Sequence, residues 1–233
     1  MIQERLIQHF GNTWYNLLKT HLMSREFLDI GKYLKSCREG KEVYPKSENV
    51  FRVFKETPFE NTTVLFVAMD PYPQPTFADG LAFSNSLSAT IAPSLRIILE
   101  EVENCYPENK DKVDYGRLDK QDLVRWSQQG VFLFNAALTV EKGSAGSHLE
   151  LWKNFTTFVL EFFNKKKQDL IVVLFGKEAE KFEKIFTNST FTVLKVVHPA
   201  AHAYRKDAGF LGNNLFKKIN EELILKDKNT INW

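Results

Sequence analysis

Four apolar segments of this sequence each lead into a residue that could bind or react with a ligand. Asp70 follows "TVLFVAM", Asn135 ends "GVFLFN", Gly176 follows "DLIVVLF" and His198 follows "FTVLKVV". A carboxylate and an imidazole can stabilise charge or transfer protons, and an amide can both donate and accept hydrogen bonds. Taken singly, each has a structural explanation, since Asn135 could cap a helix, Gly176 could form a turn and His198 could be a bonded loop residue.

The elements around these residues explain why they should meet. The four apolar segments, residues 63–69, 130–135, 169–175 and 191–197, are continuous and rich in β-branched and aromatic residues, which is typical of a parallel sheet covered on both faces. Helical spacing is present in residues 93–105, 151–163 and 215–223, a further helix is predicted to stop at Gly130, and the segment before residue 60 is predicted to be mostly helical. Alternating strands and helices predict an α/β sandwich, whose ligands bind at the carboxyl ends of the strands.

Composition bounds the class of protein. The 233 residues are 43% hydrophobic, so we expect one domain spanning residues 1–233. A formal net charge of +2 does not by itself indicate a nucleic-acid binder, although a local basic face is compatible with it. Cys37 and Cys105 are too few for a disulfide framework and show no metal-type spacing, so we expect reduced thiols and no metal. No signal peptide or membrane span is evident, so we expect an intracellular protein, cytoplasmic in a bacterium or virus and nuclear in a eukaryote.

Three motifs together carry a resemblance to a known family. The sequences "DPYP…GLAFS", "GVFLFNAALTV" and "HPAA" resemble family 1 uracil-DNA glycosylases, in order and spacing, over residues 10–225. The variants "DPYP" and "HPAA" and the ending "INW" are similar to the poxvirus branch. The resemblance implies a three-layer α/β/α sandwich with a central four-stranded parallel sheet. It also implies a DNA repair enzyme that flips uracil out of DNA and hydrolyses its N-glycosidic bond without a cofactor, leaving an abasic site.

The resemblance implies a role for each pocket residue. Asp70 is implied to stabilise the sugar cation and orient water, and His198 to donate to uracil O2, where negative charge collects. Asn135 is implied to read the uracil edge, which cytosine presents in the opposite donor and acceptor pattern.

The same resemblance assigns residues around the base. Phe83 is implied to stack on it, and Tyr72 to pack against C5 and clash with the methyl group of thymine. Met69 replaces the usual glutamine and is implied to contribute through its backbone.

Other residues resemble DNA contacts. Ser94, and Gly176 with Lys177, precede or begin helices whose free N–H groups favour phosphate, and Ser147 and His148 resemble a further backbone contact. Each of these residues could instead serve only to cap a helix.

Two positions depart from the family pattern. Pro73 stands where "DPYH" has a histidine that holds the catalytic water, so water must be positioned by Asp70 and backbone groups. The loop after His198 is two residues longer than usual and lacks the leucine that wedges into DNA. We expect Tyr204, or else His202, to act as the wedge and Arg205 or Lys206 to contact phosphate.

Two other functions compete with uracil excision. One is a binding module that holds DNA or a replication protein with weak or no catalysis, and the intact Asp70, Asn135 and His198 argue against it. The other is a glycosylase of broader specificity that acts on mismatched thymine or other damage. Tyr72 argues against thymine as a substrate. The partners expected are uracil-containing DNA and either a proteinaceous glycosylase inhibitor or replication proteins, with no membrane and a monomeric chain.

Overall fold

A four-stranded parallel sheet forms the centre of the protein. The computed structural model describes residues 2–108, 121–205 and 209–233. The sheet contains β2 (Val64–Ala68), β3 (Val131–Asn135), β5 (Ile171–Phe175) and β6 (Thr192–Val196), in the order β3-β2-β5-β6. Each of the four predicted strands is therefore confirmed.

Helices surround this sheet. They are α1 (Ile2–Leu22), α2 (Arg25–Gly40), α3 (Arg52–Glu56), α4 (Pro93–Cys105), α5 (Val124–Ser127), α6 (Leu149–Lys166), α7 (Gly176–Glu180), α8 (Pro199–Tyr204) and α9 (Leu215–Leu225). Short 3₁₀ turns span Ser47–Asn49 and Glu183–Ile185. Helix α1 is broken at Gly11, whose φ of 72° and ψ of 163° are not helical.

Alternate residues of the strands point to opposite faces of the sheet and bury against different layers. On one face Phe132 packs on Trp14 of α1, with ring centroids 5.2 Å apart. On the other face Phe66 packs on Phe175 and on Trp233, at 4.9 Å and 6.1 Å. Because both faces are covered, every residue of β2, β3 and β5 except Asn135 can be apolar, and the expected three-layer α/β/α sandwich is confirmed.

Two local features differ from the sequence-based expectation. The segment before residue 60 is mostly helical as predicted, but within it β1 (Val43–Tyr44) pairs antiparallel with β4 (Val140–Glu141). Two residues are too few to produce a periodic pattern. The helix expected to run to Gly130 is one turn long and ends at Ser127. Gly130 instead makes a tight turn at φ 98°, where a Cβ atom would lie 2.4 Å from the carbonyl oxygen of Asn61.

Within the described ranges, none of the helices combines the length and apolarity needed to cross a bilayer.

Candidate active site

The carboxylate of Asp70 lies just beyond the end of β2 and is held by the backbone of a second loop. Its Oδ2 accepts a hydrogen bond of 2.6 Å from the Gly146 N–H. The same two loops are joined again where the Gly143 N–H donates to the Pro73 carbonyl, at 2.9 Å. Burial raises the pKa of the Asp70 carboxyl, and the Gly146 N–H opposes that rise by stabilising the ionised form. The result is a fixed, partly desolvated carboxylate.

The Asn135 amide lies at the end of β3, in register with Ala68 on the neighbouring strand. Its side chain is buried, with 5% exposed, and its Oδ1 has no hydrogen-bond partner within the described residues. Beyond β3, the Ala137 N–H donates to the Met69 carbonyl at 2.9 Å, so the two loops leave the sheet together. An unpaired buried carbonyl oxygen is costly, so this atom is available to accept a hydrogen bond from a ligand N–H.

His198 follows β6 and packs against the turn that begins α7. A Cβ atom at Gly176 would lie 2.9 Å from the Cβ of His198, and the glycine φ is 79°, so glycine is required for this approach. The His198 Nδ1 accepts a hydrogen bond of 3.1 Å from the Ala200 N–H. Its proton must therefore lie on Nε2, which is left to donate. Burial lowers the pKa of His198 to about 4, so the ring is neutral at physiological pH.

The Phe83 ring lies beside the imidazole, and Tyr72 is bonded to the Phe83 backbone. The Phe83 ring centroid lies 5.6 Å from that of His198 and 4.9 Å from that of Phe175. Phe83 has a φ of 67°, an uncommon value for a bulky residue that marks a constrained position. The Tyr72 hydroxyl donates to the Phe83 carbonyl at 2.9 Å and fixes the two residues relative to each other.

A buried ionic network supports the Phe83 loop and was missed by the sequence analysis. Asp79 is fully buried and accepts hydrogen bonds from the Ser84 hydroxyl at 2.6 Å and from the Ser86 N–H and hydroxyl at 3.0 and 2.7 Å. Arg52 neutralises it from α3, with Nη1 3.1 Å from the Asp79 carboxylate. The "DG" preceding "LAFS" was the available signal of a constrained turn.

Comparison with known proteins identifies the family to which this sequence is similar. The sequence model of the Uracil DNA glycosylase superfamily matches residues 54–224. The uracil-DNA glycosylase of Proteus mirabilis (strain HI4320) is 36% identical over 223 residues, and that of Bacillus mycoides (strain KBAB4) is 33% identical over 223 residues. Each alignment covers 95% of this chain and 95% of the relative.

The chain belongs to the uracil DNA glycosylase superfamily.

Solved structures agree on the fold of this superfamily member. The crystal structure of mimivirus uracil-DNA glycosylase superposes with a TM-score of 0.85 at 23% identity, covering 98% of this chain and 88% of that chain. A mimivirus variant solved in complex with UGI superposes with a TM-score of 0.84 at 23% identity, covering 98% of this chain and 90% of that chain.

The residues predicted to contact the DNA backbone differ in how far they are exposed at the surface. Lys177 is exposed beside Gly176, whereas Ser94 is buried in the first turn of α4. Ser147 is exposed, but its hydroxyl already accepts a hydrogen bond of 2.9 Å from the Glu141 N–H. His148 is buried with 1% exposed, so its ring does not reach the surface in this conformation. Lys177 is the best placed of these residues for phosphate.

The glycosylase loop after His198 is partly described. It forms α8, with Arg205 exposed just after the helix and His202 half-buried within it, its Nδ1 without a hydrogen-bond partner in the described residues. The Tyr204 backbone ends α8, and its side chain lies outside the described residues. Lys206 lies outside the described residues. The wedge and phosphate roles of these residues stay predictions.

Met69 is the last predicted pocket residue, and it is half-buried at the start of the Asp70 loop. Its carbonyl is already bonded to Ala137, and its Cε would lie 3.3 Å from a Cβ atom at Gly146. The side chain thus packs against Gly146, whose N–H bonds to the Asp70 carboxylate, and a direct contact with uracil through the Met69 carbonyl would use its second lone pair.

Proposed function

We propose that this protein removes uracil from DNA by hydrolysing its N-glycosidic bond and leaves an abasic site. The observation that carries the proposal is the buried Oδ1 of Asn135, which has no hydrogen-bond partner among residues 2–108, 121–205 and 209–233 and lies at the same sheet edge as a neutral His198 and a partly desolvated Asp70. Uracil offers an N3–H donor for Oδ1 and a carbonyl O2 for the Nε2–H of His198. Family membership supports the same conclusion.

The reaction divides between the two ends of the breaking bond. The C1′–N1 bond breaks with its electron pair leaving on uracil, and the Nε2–H of His198 donates to O2, where the charge develops. The Asp70 carboxylate faces the cationic sugar and orients water, whose oxygen bonds to C1′ while its proton passes to the carboxylate. Neutral His198 is suited to this task because it donates a hydrogen bond without having to give up a proton.

Selection of the base rests on the Asn135 amide and the Tyr72 ring. An amide held to accept from N3–H and donate to O4 meets cytosine with two mismatched groups, which leaves buried polar atoms unpaired. Tyr72 is held by its hydroxyl on the Phe83 carbonyl, so its ring cannot easily retreat from the C5-methyl group of thymine.

A labelled duplex carrying one deoxyuridine tests the proposal. We expect alkali-labile sites only at uracil, in the presence of EDTA, and none in parallel duplexes with thymine or cytosine. Asp70→Asn should reduce the rate about a hundredfold or more while DNA binding remains. Asp29→Asn, an exposed carboxylate on α2, is the matched control and should cleave normally.

The outcomes separate the competing functions. DNA binding without cleavage by the folded protein would overturn the proposal and favour a DNA-binding module. Cleavage at thymine would favour broader specificity. Tyr72→Ala should gain thymine release, and its absence in a folded variant would remove Tyr72 from the exclusion of thymine.

A protein inhibitor is a further partner that we propose for this site. A mimivirus relative of the same fold has been solved in complex with UGI. Adding UGI to the cleavage assay should abolish activity if this chain presents a similar DNA-binding face, and full activity in its presence would exclude this partner.

A further inference from the structure

Three potential metal ligands from distant parts of the chain converge beneath the loop that holds Asp70. They are the Cys37 thiol on α2, the Glu141 carboxylate at the end of β4, and the His148 ring just before α6. Their ligand atoms all lie within 4.8 Å of one another. The Glu141 Oε1 lies 3.8 Å from the Cys37 Sγ and 3.6 Å from the His148 Nε2.

The His148 ring is oriented toward this cluster by residues behind it. Its Nδ1 lies 2.8 Å from the Thr139 hydroxyl, which in turn accepts a 2.7 Å hydrogen bond from the Trp152 indole. The ring is 1% exposed, and its Nε2 has no hydrogen-bond partner within the described residues. A buried imidazole with one nitrogen fixed and the other unsatisfied is the arrangement that metal-binding histidines show.

Two of the three ligand-atom separations come close to those around a small tetrahedral cation, and the third, between the Cys37 and His148 ligand atoms, is at most 4.8 Å. Zinc bonds of roughly 2.0 Å to nitrogen or oxygen and 2.3 Å to sulfur require ligand atoms about 3.3–3.6 Å apart. The two distances from the Glu141 oxygen, 3.6 and 3.8 Å, need only slight contraction. We propose that Cys37, Glu141 and His148 form a binding site for a thiophilic divalent cation of the zinc class, with a fourth position left for water.

Lys41 is the competitor for this site. Its ammonium lies 2.7 and 2.9 Å from the two Glu141 oxygens and supplies the positive charge that the cation would bring. The Lys41 side chain is 57% exposed, so it can swing into solvent when a cation binds. Removing this ammonium should therefore strengthen cation binding, which is the opposite of the effect expected for a ligand.

The position of the site connects it to the Asp70 loop. Glu141 and His148 are the two ends of a segment that contains Gly143 and Gly146, whose N–H groups bond to the Pro73 carbonyl and the Asp70 carboxylate. A cation joining Cys37 to both ends would tie this segment to α2. Binding should raise the thermal unfolding midpoint, because the cation binds the folded chain in preference to the unfolded one.

Titration of the 233-residue chain with Zn²⁺ alone tests the proposal, with a non-thiol reductant present. We expect one Zn²⁺ per chain by calorimetry, and Co²⁺ bound at the same site should give a thiolate-to-cobalt charge-transfer band. Cys37→Ala should remove the band and weaken Zn²⁺ binding at least tenfold. Lys41→Ala should tighten binding. Neither residue belongs to the uracil pocket, so these readouts are independent of the proposed glycosylase activity.

Cys105→Ala is the matched control. Cys105 also lies beside a glutamate, with its Sγ 3.7 Å from Glu101 Oε1, but no third potential ligand joins this pair within the part of the chain that the structure describes. Binding should survive this substitution, and Zn²⁺ should protect Cys37 rather than Cys105 from alkylation in the unaltered protein. Absence of stoichiometric binding, or binding and a charge-transfer band unchanged in folded Cys37→Ala, would overturn the site.

Discussion

At the scale of single residues, Asp70 combines two opposing requirements. The reaction needs an ionised carboxylate close to an apolar pocket, but burial favours the protonated acid. The Gly146 N–H offsets part of that penalty, and the pKa of Asp70 nevertheless remains raised. The ionised side chain therefore destabilises the fold at neutral pH, and this cost is relieved as the pH falls through the pKa of the folded state.

Asp70→Asn should therefore stabilise the protein while it removes activity. The amide oxygen can still accept from the Gly146 N–H, and the desolvated charge is gone. Thermal unfolding should show a higher midpoint for the variant at pH 7, and a smaller difference at acidic pH, where Asp70 itself is protonated. A variant that is less stable than the original protein at pH 7 would contradict this account of the site.

The tautomer of His198 gives a second prediction at this scale. The pKa of His198 is lowered from 6.5 to about 4, so the ring should stay neutral through the range in which ordinary histidines titrate. The unfolded chain therefore binds a proton at a higher pH than the folded chain does. The free energy of unfolding is not reduced by His198 above pH 6.5, and it decreases as the pH falls toward 4. NMR of the ring nitrogens should show a proton on Nε2 throughout. Titration near 6.5, or a proton on Nδ1, would rule out the proposed hydrogen bond to O2.

At the scale of secondary-structure elements, the sequence predicted the central strands and α4 better than the short ribbon and the side-chain contacts between distant segments. The four central strands and α4 were identified because buried parallel strands and amphipathic helices have strong periodic patterns. The ribbon of β1 and β4 was missed because each strand has two residues. The Arg52–Asp79 pair and the Cys37, Glu141 and His148 cluster were also missed, since contacts between residues far apart in sequence leave no local pattern.

The close contact of Gly80 with Asn49, in the turn before Phe83, can be tested directly by substitution. Gly80 has a φ of 96°, and a Cβ atom there would lie 2.0 Å from the Asn49 carbonyl oxygen. Gly80→Ala should destabilise the protein by about 2–4 kcal/mol and lower activity, because the Phe83 loop must shift. Gly209 also has a positive φ, but a Cβ atom there would meet no atom of the described residues within 4 Å, so Gly209→Ala should cost only about 1–2 kcal/mol. Denaturant unfolding compares the two, and equal losses would contradict the role of the Asn49 contact.

At the scale of the whole molecule, the charge balance and the substrate have to be reconciled. The chain carries 31 basic and 29 acidic residues, so its net charge of +2 cannot account for binding to DNA. Many lysines are already paired with carboxylates, as Lys181 is with Glu178 and Lys195 with Glu183. We therefore expect binding to depend on cations at the carboxyl edge of the sheet, such as the exposed Lys177 next to Gly176.

Salt dependence measures how many such cations act. Each phosphate neutralised by the protein adds about −0.9 to the slope of log K against log salt concentration, so a chain with few contacts should show a shallow but measurable slope. Lys177→Ala should reduce its magnitude by about 1 and weaken binding to uracil-containing and ordinary DNA alike. Lys181→Ala, one helical turn away but paired with Glu178, is the matched control and should leave the slope unchanged. An equal effect of both substitutions would mean that Lys177 acts through the general field of the protein and not through a phosphate contact.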